Sequence, residues 1–146
     1  MNGSHHRVRP ALRAPLSGWL PVIAWAGLIF ALSAQPDLRF APDAGVDFVV
    51  RKVGHMGVFG ILLLLLWRAL EGTVDRRRPW PAAFALTVVY AVGDELHQGL
   101  VVDRHAAAMD VGIDAVGALL ALLAARWIRS WRERRLRGEP DVTPPA

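Results

Sequence analysis

Asp94, Glu95, His97 and Gln98 crowd into five consecutive positions, Asp110 and Asp114 follow four residues apart, and Lys52 and His55 stand three apart earlier in the chain. Carboxylates beside an imidazole are groups that move protons near neutral pH, while cations such as Lys52 and Arg104 hold anionic groups in place. Carboxylates with one histidine also make a plausible divalent-metal ligand set, although their linear spacing matches no metal motif. No glycine-rich phosphate loop and no serine-nucleophile motif accompany them. The chain has no cysteine, which excludes disulfides, thiolate metal sites and a cysteine nucleophile.

Four apolar stretches must position these groups: Leu16 to Ala34, Val53 to Leu70, Ala82 to Leu100 and Ala106 to Trp127. A hydrocarbon core about 30 Å thick needs roughly 20 residues of helix, so each is long enough to cross, the third and fourth being interrupted by charge. The composition agrees, with 53% hydrophobic residues, a mean hydropathy of +0.30 and six tryptophans. Trp19, Trp67, Trp80 and Trp127 lie near segment ends, where indole rings favour the headgroup region. A length of 146 residues predicts one domain, and no internal repeat is evident.

A pI near 10.9 suggests nucleic acid at first sight, but the basic residues follow membrane topology. Of 17 Lys and Arg, all but Arg39, Arg51, Lys52 and Arg104 lie in the N-terminal tail, around the second connection, or near and beyond the last segment. The positive-inside rule then predicts both termini and the connection Glu71 to Trp80 in the cytoplasm, with Gln35 to Lys52 and Val101 to His105 facing outward. The Arg-rich C-terminal tail reads as a topology and anionic-lipid anchor. Aromatic residues are not interleaved through it as nucleic-acid stacking requires. The first segment also fits a cleaved signal peptide ending at Ala31, Ser33 and Ala34, but it is long for one. Met1 to His6 resemble a tag remnant and carry no functional weight.

On a helix entering at Trp80 and Pro81, Asp94 lies roughly 18 Å along, in the outer third of the membrane. At 100° per residue Tyr90, Asp94, His97 and Gln98 share a face predicted to point into the bundle, with Glu95 at its margin. The fourth helix runs the other way, so Asp110 and Asp114 reach the same depth, and Gly117 and Ala121 continue their stripe as a close-packing edge. Gly54, Gly57 and Gly60 offer another on the second helix, where Lys52 and His55 stand at the outward end. Two readings stay open. The cluster is either a set of staples, with Asp110 bound to Arg104 and with Gln98 and His55 bridging helices, or an outward-facing pocket. A proton-coupled transporter fits less well, because the polar residues stop in the outer third. His97 and His105 are expected to be ordinary helix-face and loop residues.

At these positions the chain resembles the VanZ-like membrane protein family. The resemblance runs from about Leu32 to Leu123. It includes Ser33 with Gln35, the stretch Asp47 to Phe59 with Lys52 and His55, the run Asp94 to Gln98, and then Arg104, Asp110 and Gly117 at the expected intervals. The family tends to carry an aromatic after the glutamine, a Pro-Gly pair before the arginine and an asparagine at the place of Asp114. Here those places hold Gly99, Val102 with Asp103, and an additional acid. The resemblance implies a prokaryotic, multi-pass protein of the plasma membrane and cell envelope, linked in some members to reduced sensitivity to teicoplanin-type glycopeptides. It implies no established reaction.

The expected fold is therefore all-α, a four-helix transmembrane bundle with cytoplasmic termini. It divides into a basic tail over 1–15, a membrane domain over 16–127 and an Arg-rich tail over 128–146. The expected pocket comprises Lys52, His55, Asp94, Glu95, Gln98, Arg104, Asp110 and Asp114. Its partners are membrane lipid and a lipid-linked envelope precursor or glycopeptide, with no nucleic acid and no cofactor. The alternative is an intramembrane enzyme on a lipid-linked phosphate, with Glu95 or Asp94 as base, His55 as acid or metal ligand, and Arg104 with Lys52 holding the anion.

Overall fold

A computed structural model describes residues 14–36, 39–71, 79–101 and 106–137, with side chains from Gly18 onward. Arg104 and His105 of the outer loop, the basic N-terminal tail with its tag-like start, Arg76 to Arg78 and residues 138–146 lie outside the described residues. Four helices and no strand occur among the described residues: α1 (Ala14–Ser33), α2 (Ala44–Glu71), α3 (Pro79–Gln98) and α4 (Ala108–Leu136). The all-α expectation holds. Two of the helices, α2 and α4, are long and apolar enough to cross a membrane, and α1 contains a shorter apolar run, Gly18–Ser33.

Two helices exceed their expected spans. The second begins nine residues before Val53, because Asp43 caps it: its Oδ1 accepts the N–H groups of Gly45 and Val46, both at 2.9 Å. An aspartate there satisfies donors that the first helical turn leaves without partners. Asp47 then locks the preceding loop, accepting the Phe40 N–H at 2.7 Å and the Ala41 N–H at 3.3 Å and pairing with Arg51 at 2.7 Å. At the other end α4 runs past Trp127 to Leu136, because its arginines find aromatic and acidic partners. Arg129 lies 4.1 Å from the Trp67 ring and bonds Glu71 at 2.6 Å, and Arg135 covers Trp131.

Contacts along the helices give their directions. Gly18 of α1 approaches Ala69 of α2, and the Trp25 indole donates to the Val58 carbonyl at 2.9 Å, so α1 and α2 run antiparallel. Tyr90 of α3 donates to the Ala26 carbonyl, and Asp94 accepts from Ser33, so α1 and α3 run parallel. Lys52 meets Asp110 at one end of α2 while Glu71 meets Arg129 at the other, so α2 and α4 are parallel too. The start of α1 and the end of α4 thus share one end of the bundle. Among the described residues α2 touches all three other helices, and α4 does not touch α1.

Phe59, Leu62, Leu63, Leu66, Trp67 and Leu70 of α2 form the spine of the core. Against it α3 sets Ala83, Thr87 and Ala91 at four-residue intervals, all buried, with the Thr87 hydroxyl satisfied by the Ala83 carbonyl. Helix α4 sets Gly117, Ala118 and Leu122 against it. The expected close packing of α2 on α4 is realised at Gly117 and Gly60. A Cβ on Gly117 would lie 2.4 Å from the Cα and carbonyl oxygen of Met56, and one on Gly60 would lie 3.1 Å from the Ala121 Cβ. Gly54 and Gly57 have open space around them instead.

Candidate functional site

All the described candidate residues lie at one end of the bundle, where α1 and α3 finish and α2 and α4 begin. Three small groups result. On the α2–α4 face Lys52 pairs with Asp110, and one turn deeper His55 Nδ1 lies 3.2 Å from Asp114 Oδ1, with the Asp114 side chain almost wholly buried. The rungs match because both helices advance by one turn in the same direction. Asp110 is bonded by Lys52, since α2 begins early enough to bring the lysine alongside; the expected partner Arg104 lies outside the described residues.

On the α1–α3 face the Ser33 hydroxyl donates to Asp94 Oδ2 at 2.9 Å and the Gln98 amide donates to the same oxygen at 2.8 Å. All three side chains are buried. Gln98 also reaches the Ser33 hydroxyl, at 3.4 Å. The other Asp94 oxygen, Oδ1, is buried without a hydrogen-bond partner among the described residues. Such groups are uncommon, because an unsatisfied buried acceptor costs about 1–3 kcal/mol.

Glu95 was expected at the margin of this face but is as buried as Asp94. Its Oε1 accepts the Ala107 N–H at 2.6 Å. Ala107 is the N-cap of α4 and has no side-chain cap of its own, so a carboxylate on one helix secures the start of the next. His97 stacks on Phe30 of α1, with ring centroids 4.2 Å apart, and its Nε2 is buried without a partner among the described residues. It is therefore part of the α1–α3 contact, not an ordinary satisfied helix-face residue.

The three groups are joined through the helices that carry them. Asp94 and Glu95 are consecutive on α3, and Glu95 bonds the N-cap of the helix that carries Asp110 and Asp114. Of the eight candidates, seven are thereby brought to one region, and Arg104 lies outside the described residues. No group of three or more His, Asp or Glu side chains is placed to hold a metal ion among the described residues.

Ser33 is the polar partner that a search for titratable residues passes over. It ends α1, ties that helix to Asp94, and lines a cleft between α1 and α2 whose other polar groups are Arg51 and His55. The signal lay in its place: a lone hydroxyl at the end of an apolar helix, at the depth of a buried acid.

Four helices around a small-residue interface, two of them fit to cross a membrane and all contributing to polar groups at a single end, define the class. The chain belongs to the VanZ/LLP1 family, whose model matches residues 17–129. The match covers most of α1, all of α2 and α3 and most of α4, and with them every candidate residue. Comparison with curated proteins and with solved structures gave no match.

Proposed function

We propose that this VanZ/LLP1 protein is a multi-pass protein of the prokaryotic plasma membrane. In this reading all four helices cross, both termini are cytoplasmic, and the polar end faces outward to bind a lipid-linked or surface component of the cell envelope. The large apolar side chains around the outside support the crossing: Leu20, Ile23, Val53, Val89, Leu123 and Trp127 are all more than half exposed. Patches of that extent on every helix suit hydrocarbon, not water. The basic residues beyond the crossing segments set the orientation.

The observation that carries the binding reading is Asp94. Buried polar bonds between membrane helices average only about 0.6 kcal/mol, so a carboxylate with one oxygen satisfied twice and the other left open is a poor staple. That oxygen, Oδ1, is buried without a partner among the described residues, so a ligand's donor that reaches it as the polar end opens would relieve the cost of an unmade bond. The same oxygen favours a second reading, an intramembrane enzyme in which Asp94 takes a proton from a substrate and His55 returns one. An effect on glycopeptide susceptibility follows from either reading, as a consequence of altering an exposed envelope component.

Asp94→Asn tests both. The change keeps the acceptor bonded by Ser33 and Gln98 through the amide oxygen and replaces the open oxygen by a donor. Teicoplanin susceptibility and the lipid-linked envelope intermediates would be compared in cells expressing wild type or variant at equal membrane levels. Loss of the wild-type effect with an unchanged thermal midpoint in detergent is expected. An Asp94→Asn protein that retains the full effect would remove Asp94 from the site.

A further inference from the structure

We propose that the cleft between α1 and α2 is a subsite for a single aliphatic chain of an anionic amphiphile, with the anionic head held at the Arg51 and His55 end. This deepens, and rests on, the reading that the polar end of the bundle binds a lipid-linked ligand. The cleft has a volume of about 180 Å³. Ile29 and Leu32 of α1 face Val58 and Phe59 of α2 across it, and Gly54 leaves room between them.

Polarity in the cleft runs one way. Along α2 the lining passes from Arg51 through His55 to Val58 and Phe59, and along α1 from Ser33 through Leu32 to Ile29. The three polar side chains of the lining, Ser33, Arg51 and His55, thus all lie at the end of the bundle that holds the buried acids, beside the apolar Phe40 and Val50, and the lining further in is wholly apolar. An amphiphile has the same gradient. Ser33 and His55 also bond Asp94 and Asp114, so the cleft borders the residues that hold the buried acids.

The head must be anionic because the exposed group at the mouth is a guanidinium. Arg51 pairs with Asp47 through one nitrogen at 2.7 Å and its side chain is 44% exposed. A guanidinium has five N–H donors, and the fork geometry suits phosphate or carboxylate. Lys52, by contrast, is committed to Asp110. Size restricts the tail: an apolar cavity of about 150 Å³ takes one benzene-sized group, so this cleft takes a segment of one chain and not the paired chains of a bilayer phospholipid.

Gly54 allows a direct test, because a Cβ there would meet nothing within 4 Å. Gly54→Leu extends from that open position into the cleft. Gly57→Leu is the matched control, since Gly57 has equally open space but lines a different groove, between α2 and α4. The full chain in nanodiscs would be photolabelled with a diazirine-bearing prenyl monophosphate and the labelled peptides mapped. Wild type and Gly57→Leu should be labelled on α1 and α2. Labelling should fall at least about tenfold in Gly54→Leu, several-fold in Arg51→Gln and by an intermediate factor in Gly54→Ala, the smaller change that serves if leucine impairs folding. Alkyl phosphate should compete, while inorganic phosphate and the uncharged prenol should not. Undiminished labelling of both Gly54 variants overturns the cleft while leaving a ligand at the polar end standing. Equal competition by prenol or by zwitterionic phospholipid overturns the anionic head, and no specific labelling of wild type overturns the subsite and the ligand reading together.

Discussion

Replacing Gly117 by alanine should separate α2 from α4 and loosen the polar end with it. The added Cβ would start 2.4 Å from two backbone atoms of Met56, and backbone cannot rotate away as a side-chain tip can. Restoring an ordinary carbon contact of about 3.5 Å moves the helices apart by about 1 Å. His55 and Asp114, at 3.2 Å, would then sit beyond hydrogen-bond distance. Overpacking of this kind costs about 1–3 kcal/mol, and the two interhelical polar contacts add about 0.6 kcal/mol each. Alanine's better helix propensity returns about 1 kcal/mol. The expected net loss is about 1–3 kcal/mol, measured by reversible unfolding in mixed micelles. Gly112→Ala, on the same helix with open space around it, should show only the propensity gain. If Gly117→Ala proves as stable as Gly112→Ala, the close approach of α2 and α4 is wrong.

Other outcomes follow from the same contacts. Glu95→Ala should cost about 1–3 kcal/mol by freeing the Ala107 N–H, whereas Glu95→Gln, which retains an acceptor, should unfold near wild type; equal losses would refute the capping role. His55→Gln and Asp114→Asn should be non-additive by at least about 0.5 kcal/mol in a double-mutant cycle, and strict additivity would separate them. Because the chain has no cysteine, single cysteines at Ser130 and Gly99 give a clean topology test. Impermeant maleimide should label Gly99→Cys from outside intact cells and leave Ser130→Cys unlabelled; the reverse pattern would invert the orientation.

The helix count and the inward faces were legible because hydrophobic period and charge placement are local properties. Gly117 could be read as a packing residue for the same reason. The start of α2 was obscured because Asp47, Arg51 and Lys52 lower the hydropathy where Asp43 begins the helix. A cap is a better boundary signal there than a run of apolar residues. The partners of the acids were harder. Lys52 meets Asp110 because of the relative register of α2 and α4, which no single helix encodes. Phe30 was hidden differently, and Ser33 stood out only through the family resemblance: both lie on α1, which carries no titratable group among the described residues, and their contacts follow only once α1 lies parallel to α3.

The face of α3 that passes from Ala83, Thr87 and Ala91 to Asp94, Glu95 and Gln98 also bears on how such a chain would enter a bilayer. Acidic residues within a crossing helix cost up to about 3 kcal/mol each on biological insertion scales, less toward the interface. Among the described helices α3 is not one that meets the length and hydropathy expected of an independent span. Its carboxyl end becomes tolerable only when Ser33 of α1 and the start of α4 are already in place. Insertion of α3 would therefore depend on its neighbours, and biogenesis would couple the third crossing to the completion of the fourth. The side chains that make one end of the bundle polar would also act as its assembly checkpoint, leaving an incompletely inserted chain exposed to quality-control proteolysis.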